Sequence, residues 1–505
     1  MPETAELVNP LREGIRLRRT PDPCSVVIFG ASGDLTSRKL VPALYELFRK
    51  RRLPEGTRIV GFSRTPLSDE DWRAKLAGST AHFDAANFAP ASWENFAPCL
   101  FYHPGDIAKP DDFTALAARL DRFEDSARGT RIFYLATAPD FYQPAIAQLG
   151  ASGLAQQTGL TRRIVIEKPF GVDLASARRL NEAVHAVFAE EQVYRIDHYL
   201  GKETVQNVLV LRFANTIFEP LWNRNFIDHV EITAAEDLCV GHRAGYYDKA
   251  GVVRDMFQNH LLQLLTMTAM EAPARFEAAA VRDEKVKVLR AIRPMGPDDV
   301  ARDTVRGQYR KYRDEPGVTP GSCTASFAAV KLQINNWRWQ GVPFYLRSGK
   351  AMSCPTTQIV IQFHEPPHVM FDTGAAKRIA ADQLLIQVQP AEGIQLYFQT
   401  KVPDVGVQLR LADLSFRFQE KFAGGMPDSY QRLLLDVMQG DQSLFARSDE
   451  VEVAWSIIDP ILAAWENPGR PELMLYEEGM WGPPASTEWI RSQGREWFDA
   501  CPVLH

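Results

Sequence analysis

Residues 25–29 (SVVIF) are a short apolar run that breaks on Gly30, Ala31, Ser32 and Gly33. The next eleven-residue stretch, 39–49, carries Leu40, Ala43, Leu44, Leu47 and Phe48 at helical spacing, and residues 58–62 (RIVGF) form a second apolar run. Strand, glycine turn, helix and strand thus follow one another within residues 24–62. Two strands joined through a helix are parallel, and the crossover covers a face of the sheet. The same grammar continues: residues 69–76 and 110–123 read as helices, and 131–136 (RIFYLA) and 163–166 (RIVI) as further strands. Runs apolar at every position suit strands buried on both faces, so the first part of the chain is an α/β, Rossmann-type parallel sheet.

After about residue 200 the pattern changes. Residues 226–233, 324–332, 358–363, 384–389 and 394–400 read as strands, several with period-two alternation, while 251–270, 429–439 and 449–467 read as helices. Strands close together with short turns predict a mixed, largely antiparallel sheet, hence a larger α+β domain. A chain of 505 residues exceeds what one core usually supports and allows about two to four domains. The boundaries expected are a flexible lead-in over 1–23, a nucleotide-binding domain over 24–201 and a substrate-binding and oligomerisation domain over 202–505.

Composition excludes several classes. With 45% hydrophobic and 24% charged residues the chain is an ordinary globular one, with no dominant disorder or coiled coil. No apolar run approaches the ~18–20 residues of a spanning helix, and the N-terminus has no apolar signal region, so neither membrane nor secretion is expected. A net charge of −6 argues against nucleic acid as a main partner, though it says nothing of a small anion that reads a local field. Cys24, Cys99, Cys239, Cys323, Cys354 and Cys501 form no CxxC pair, which suits six free thiols in a reducing cytoplasm better than a disulfide framework. No His, Cys or carboxylate group has metal-ligand spacing.

Glycines between a buried strand and a helix let backbone N–H groups approach a pyrophosphate, with the helix N-terminus adding favourable partial charge. An ordinary strand–helix turn has the same look, because the spacing is not GxGxxG. The second strand ends on Ser63-Arg64 with no acid for a ribose diol, and Arg64 offers a planar, charged contact to a 2′-phosphate, which favours NADP over NAD. A solvated arginine is the plain alternative. Three later stretches crowd reactive groups: EKPFG at 167–171, RIDHYLGK at 195–202 and DKAGVVRDMFQNH at 248–260. Residue chemistry alone leaves these as solvated loops and a core histidine, or as parts of one site.

Together, GASGDL at 30–35, EKPFG at 167–171, RIDHYLGKE at 195–203, RDMFQNH at 254–260, GVPFYLRSGK at 341–350 and RSDEVEVAW at 447–455 closely resemble the glucose-6-phosphate dehydrogenase family. The likeness runs in order from about residue 24 to about residue 470. It implies oxidation of glucose 6-phosphate at C1 by NADP⁺, the first oxidative step of the pentose phosphate pathway. By match to the family's motifs, His260 is the expected general base and Asp197 the carboxylate that orients it. His198, Tyr199 and Lys202 match the substrate-phosphate contacts, Glu236 and Asp255 the acceptors for sugar hydroxyls, and Lys350 and Gln389 further substrate contacts. Lys168 matches the lysine between cofactor and sugar. The resemblance assigns Gly30, Ala31, Ser32, Gly33, Asp34, Leu35 and Arg64 to the cofactor, with Tyr102, Asp106 and Tyr142 as weaker matches.

Two departures stand out. Pro355 occupies a position where many relatives carry a basic residue, which puts one substrate contact in doubt. Gln387 replaces an arginine that eukaryotic relatives use for a second, structural NADP, so that second site is not expected. A homodimer or homotetramer through the sheet domain is implied by the resemblance. The nearest alternative, an oxidoreductase of the glucose–fructose oxidoreductase type, is disfavoured by RIDHYLGK and the His260 segment. An inactive NADP-binding relative is disfavoured by the presence together of Asp197, His198, Lys202 and His260.

Overall fold

The computed structural model describes residues 21–123, 129–157, 159, 161–368, 370–371, 379–404, 407–421, 426–467 and 471–502. Most of the expected lead-in lies outside them. The chain forms two compact units, each discontinuous in sequence: Met1–Glu167 with Ala183–Tyr194 and Tyr430–Gln442, and Lys168–Glu182 with Arg195–Ser429 and Ser443–His505.

In the first unit, β1 (Cys24–Phe29), β2 (Arg58–Ser63), β3 (Leu100–Pro104), β4 (Thr130–Leu135), β5 (Arg162–Ile166) and β6 (Val193–Ile196) line up in the order β6-β5-β4-β1-β2-β3. Strands β1 to β5 all pair in parallel. This is the doubly wound order, whose direction of winding reverses between β1 and β4 and opens a crevice beyond their carboxyl ends. Val26, Val27, Ile28 and Phe29 are no more than 1% exposed, so every residue of the apolar run is core. Each such side chain contributes roughly 1.5–3 kcal/mol of burial. The helix Asp69–Phe83 starts on Ser68, whose Oγ accepts from the Asp71 N–H at 3.0 Å, a cap that fixes its origin. Residues 430–442 join this unit through Arg163, which donates to the carbonyl oxygens of Val437 and Met438 at 2.6 and 2.8 Å.

The second unit is built on a nine-stranded sheet. Its named strands are β7 (Ile227–Ala235), β8 (Thr304–Tyr309), β9 (Phe327–Gln333), β10 (Pro343–Gly349), β11 (Thr356–Phe363), β12 (Gln383–Gln389), β13 (Gly393–Lys401) and β14 (Leu409–Arg417). They run β14-β13-β12-β11-β7-β10-β9-β8, with the short strand Leu473–Tyr476 outside β8. Pairing is antiparallel except for β7 with β10 and Leu473–Tyr476 with β8, so the expected mixed, largely antiparallel sheet is present. The parallel β7/β10 pair is not legible from alternation, and it ends with Gly349 opposite Ala235. The next residues in the chain, Glu236 and Lys350, therefore emerge side by side.

The helix expected over 251–270 is broken at its first residue. Gly251 takes φ +65° and ψ 170°, a kink near the end of Ala244–Val252, and the Val252 N–H donates to the Ala325 carbonyl oxygen at 3.0 Å. Residues Val253–Leu261 then form unusually wide turns before Leu262–Ala269 resumes regular winding. Such widened turns are frequent at functional sites. No described helix is long and apolar enough to cross a membrane.

Six free thiols are not what the structure contains. Cys354 and Cys501 form a disulfide across 147 residues of sequence, while Cys24, Cys99, Cys239 and Cys323 are in no disulfide. Sequence spacing could not show the pair, because the chain returns to Cys354 only after building the whole sheet.

Candidate active site

In the first unit, the loops after β1, β2, β3 and β4 enclose a cavity of 260 Å³ lined by Gly30, Ser32, Gly33, Ser63, Arg64, Asp106 and Phe141 among others. Gly30 takes φ +88°, and a Cβ there would lie 2.3 Å from the Ala136 carbonyl oxygen, so only glycine lets the turn pass. Ser32 and Ser63 hydroxyls meet at 2.8 Å at the end of β2. The Arg64 guanidinium lies 5.9 Å from the Phe141 ring centroid and is paired with no carboxylate among the described residues. Glycine turn, two hydroxyls and a guanidinium that no described carboxylate pairs suit a dinucleotide carrying a 2′-phosphate.

Not every expected cofactor residue faces this cleft. Asp106 lines it, but Ala31, Tyr102 and Tyr142 are 2% exposed or less, and the Tyr102 hydroxyl donates to the Thr65 carbonyl oxygen at 2.7 Å. Leu35 is half-buried, while Asp34 faces solvent and pairs with Arg38 at 3.3 Å. Phe141, adjacent to the expected Tyr142, is the aromatic residue on the rim. Sequence carried no signal to separate the two, since helix phase at the first turn decides which ring points inward.

The second unit gathers the remaining residues. Chain leaving β6 turns at once: the Asp197 carboxylate accepts from the Tyr199 N–H at 2.9 Å, and the Leu200 N–H donates to the Asp197 carbonyl oxygen at 3.1 Å. Asp197 Oδ1 is 2.6 Å from His260 Nδ1, and His260 Nε2 is 2.9 Å from Lys168 Nζ. An ionised carboxylate only accepts and an ammonium only donates. The imidazole is therefore held with its proton on Nδ1 and its lone pair on Nε2.

The electrostatics agree. Burial, helped by Lys168, lowers the His260 pKa below the ordinary imidazole value against the pull of Asp197. Burial alone would raise Asp197, but the charge and hydrogen bond of His260 outweigh it and hold the carboxyl well below its usual range. Burial, then His260 and Lys168, depress His198 further, so both imidazoles stay neutral near pH 7. Tyr199 stacks on His260 with ring centroids 4.2 Å apart, and His198 meets it edge-on at 4.7 Å.

Around this base lie the other candidates. Lys168 Nζ is 3.5 Å from Asp255 Oδ1 and donates to the Asp255 carbonyl oxygen at 3.3 Å. Burial opposes ionisation of Asp255, but Lys168, Lys350 and Arg243 together lower its pKa. Lys350 forms an ion pair with Glu236 at the ends of β10 and β7. Lys202 Nζ lies 5.8 Å from the Tyr199 ring centroid, and Gln389 donates to Thr357 Oγ1 at 3.1 Å and to Tyr199 at 3.5 Å. Pro355 is exposed, and the Gln387 amide donates to Thr356 Oγ1 at 2.6 Å within the sheet.

Two neighbours have no counterpart among the expected residues. Tyr247 lies beneath Lys350, 5.4 Å from Nζ to ring centroid, with a buried hydroxyl that has no partner among the described residues. Thr357 ties Tyr199 to Gln389. Neither belongs to a dense polar run, so nothing local marks them. Asp197, His198 and His260 also bring three potential metal-ligand atoms within 4.8 Å of one another, but the Lys168 ammonium already supplies positive charge there. A larger cavity of 730 Å³ near Trp337 holds no such chemistry, because Arg212 and Arg338 are engaged by Glu219 and Glu271.

A doubly wound dinucleotide fold and a carboxylate-backed imidazole beside a lysine ammonium point to the class, a nucleotide-dependent dehydrogenase. Residues 27–207 match the family "Glucose-6-phosphate dehydrogenase, NAD binding domain", and residues 209–498 match "Glucose-6-phosphate dehydrogenase, C-terminal domain". The chain belongs to the glucose-6-phosphate dehydrogenase family. It is 45% identical to glucose-6-phosphate 1-dehydrogenase 2 of Mycobacterium tuberculosis over 505 residues, covering 97% of each chain. It is 46% identical to glucose-6-phosphate 1-dehydrogenase of Rhizobium meliloti, covering 95% of this chain and 98% of that one. A solved glucose-6-phosphate dehydrogenase in complex with its substrate glucose-6-phosphate superposes with a TM-score of 0.88 at 35% identity, over 95% of this chain and 99% of that one.

Proposed function

We infer that this chain oxidises D-glucose 6-phosphate at C1 to 6-phospho-D-glucono-1,5-lactone with hydride transfer to NADP⁺, the first oxidative step of the pentose phosphate pathway. The observation that carries the reading is the imidazole fixed between Asp197 and Lys168, at 2.6 and 2.9 Å. NADP⁺, when bound, supplies the hydride acceptor. His260 Nε2 takes the proton of the C1 hydroxyl as the C1–H bond gives up its hydride, so one lactone, one NADPH and one proton result. Asp197 keeps Nδ1 protonated and stabilises the imidazolium that forms. Lys168 donates to the same lone pair, so a bound hydroxyl exchanges one hydrogen bond for another at no cost in unsatisfied groups.

His198, Tyr199 and Lys202 bind the phosphate dianion, for which several donors and a fixed charge are needed. Glu236 and Asp255 accept from sugar hydroxyls, and Lys350 and Gln389 complete the substrate contacts. Gly30, Ser32, Gly33, Arg64 and Asp106 hold the cofactor. In domain terms, the first unit binds NADP and the second binds substrate; the expected boundary at 201 shifts, because Lys168, Asp197, His198 and Tyr199 belong to the second unit. NADPH formation with glucose 6-phosphate, set against free glucose, tests the whole reading; turnover of the unphosphorylated sugar alone would overturn it.

Cofactor choice has its own test. Loss of a charge-assisted contact costs about 1.5–3 kcal/mol, or tenfold and more in affinity. Arg64→Ala is expected to raise KM for NADP⁺ by at least about tenfold while leaving KM for NAD⁺ little changed. Equal effects on both would remove Arg64 from the 2′-phosphate.

The larger sheet also supports a homodimer or homotetramer. Its edge strand β14 exposes Leu411 and Leu414 to solvent at 43% and 63%, and an uncovered edge with apolar side chains favours pairing with a second copy. Light scattering on the intact chain checks this; a monomer at all concentrations would reject it. Four of the six cysteines stay outside the disulfide, which fits a mostly reducing compartment, and we place the chain in the cytoplasm.

A further inference from the structure

The last described residues, 495–502, have no helix or strand of their own and lie across one face of the larger sheet. They are fastened at each strand they cross. Arg495 pairs with both carboxylate oxygens of Asp228 at the start of β7, at 2.9 and 3.0 Å. The Phe498 N–H donates to Glu231 on β7 at 3.0 Å, and the Phe498 carbonyl oxygen accepts from Gln358 on β11 at 3.1 Å. Asp499 pairs with Arg347 on β10 at 2.6 Å. The final tie is covalent, between Cys501 and Cys354.

Cys354 lies in a special place. Residues 351–355 connect Lys350, at the end of β10, to Thr356 and Thr357, at the start of β11. Lys350 pairs with Glu236, and Thr357 accepts from Gln389. This short loop thus joins one candidate substrate contact, Lys350, to the residue that holds another, Gln389. Its first residue, Ala351, is held in the left-handed region at φ +50°, a conformation that a residue with a Cβ keeps only when its surroundings impose it. The Ala351 N–H donates to the Leu238 carbonyl oxygen at 3.0 Å, and its own carbonyl oxygen accepts from the Gly479 N–H at 2.9 Å. The Lys350 N–H donates to the Ser326 carbonyl oxygen at 2.9 Å, the Lys350 carbonyl oxygen accepts from the Tyr476 hydroxyl at 2.6 Å, and the Met352 N–H donates to the Glu236 carbonyl oxygen at 2.8 Å. At the other end of the loop Pro355 is exposed, and the disulfide ties that end to the strap.

We propose that Cys354 and Cys501 are positioning residues for Lys350: their disulfide clasps the C-terminal strap to the substrate loop, and opening it weakens glucose 6-phosphate binding. The proposal rests on the reading of Lys350 as a substrate contact. Cys501 is exposed and Cys354 half-buried, so the bond is open to a small reductant, and accessible disulfides are the labile ones. Opening is a balanced two-electron exchange with an added dithiol. One reagent thiolate attacks a cysteine sulfur and the S–S bond breaks. The second reagent thiol then resolves the mixed disulfide, leaving Cys354 and Cys501 as thiols and the reagent as a cyclic disulfide. In a cytoplasmic enzyme such a bond acts as a sensor rather than a framework.

The test uses the intact protein before and after dithiothreitol, with Cys501→Ser as a second route to the open form. Mass spectrometry after alkylation reports the bond, hydrogen exchange of residues 351–357 reports the loop, and steady-state kinetics report its effect. The expected result is faster exchange in the loop and a KM for glucose 6-phosphate raised about three- to tenfold, with kcat and KM for NADP⁺ unchanged. Cys501→Ser should show the raised KM and no further response to dithiothreitol. Free thiols at both positions under non-reducing conditions, or exchange unaltered by reduction, would overturn the clasp. Faster exchange with an unchanged KM would show that Ser326, Tyr476 and Glu236 hold Lys350 without the clasp and would reject the proposal, while leaving the reading of Lys350 as a substrate contact intact. Loss of kcat together with KM would mark a general structural role and also reject the proposal.

Discussion

Replacing His260 with asparagine is expected to lower kcat by about 10³- to 10⁴-fold while KM for glucose 6-phosphate changes little. General-base catalysis contributes at most about that factor, and the asparagine amide has no lone pair basic enough to take a hydroxyl proton. Its amide nitrogen can take the place of Nδ1 toward Asp197, so the hydrogen bond there survives although the ring contacts with Tyr199 and His198 are lost. The phosphate contacts are untouched, which keeps KM. Near-normal kcat in this variant would end the role of His260. The pH profile adds a signed expectation. Only neutral His260 accepts a proton, and burial with Lys168 lowers its pKa. The acid limb of kcat/KM should therefore lie below about pH 6.5, the ordinary imidazole value. Removing the Lys168 charge in Lys168→Met raises the His260 pKa and moves that limb to higher pH. A limb that stays or moves down would reject the coupling of Lys168 to the base.

Lys285→Met should be strongly destabilising. Lys285 and Glu450 are wholly buried and pair at 2.9 Å, and Glu450 also accepts from Gln263 at 2.6 Å. Lys285 lies on the helix Ala278–Ala291, Glu450 on Ser448–Glu466, and Gln263 on Leu262–Ala269, the direct continuation of the His260 segment. Removing one partner leaves a buried charge without compensation, which costs about 3–5 kcal/mol. Thermal unfolding of the second unit should shift down by roughly 5–10 °C. The double variant Lys285→Met/Glu450→Leu removes both charges and should recover much of the loss. A single variant with an unchanged transition would show that the pair is not what joins these helices.

The glycine turn, the strands on either side of it and the density of reactive groups at 167–171 and 195–202 are local properties, and they were legible from residue order. So was the absence of an acid after Ser63, which pointed to a phosphate-bearing cofactor. Other features were not. Tyr102 and Tyr142 were expected at the cofactor and are buried in the core, because side-chain direction at a strand end or first helical turn depends on packing. Phe141, Tyr247 and Thr357 lack any local signature. The break at Gly251 was hidden by a continuous apolar pattern, which persists whether or not the backbone stays helical.

What residue order determined on its own was the alternation of strand and helix, the change of grammar near residue 200, and the chemical kinds of group at hand. Those arise from interactions among near neighbours, at periods of two and 3.6 residues. Only the tertiary structure decided that Asp197 meets His260 across 63 residues, that Lys168 reaches the same ring across 92, and that Cys354 closes on Cys501 across 147. Such contacts come from strand order, from the parallel β7/β10 pair and from the widened turns that carry His260. Sheet pairing between distant segments is selected by the burial of the whole core, so no local run encodes it.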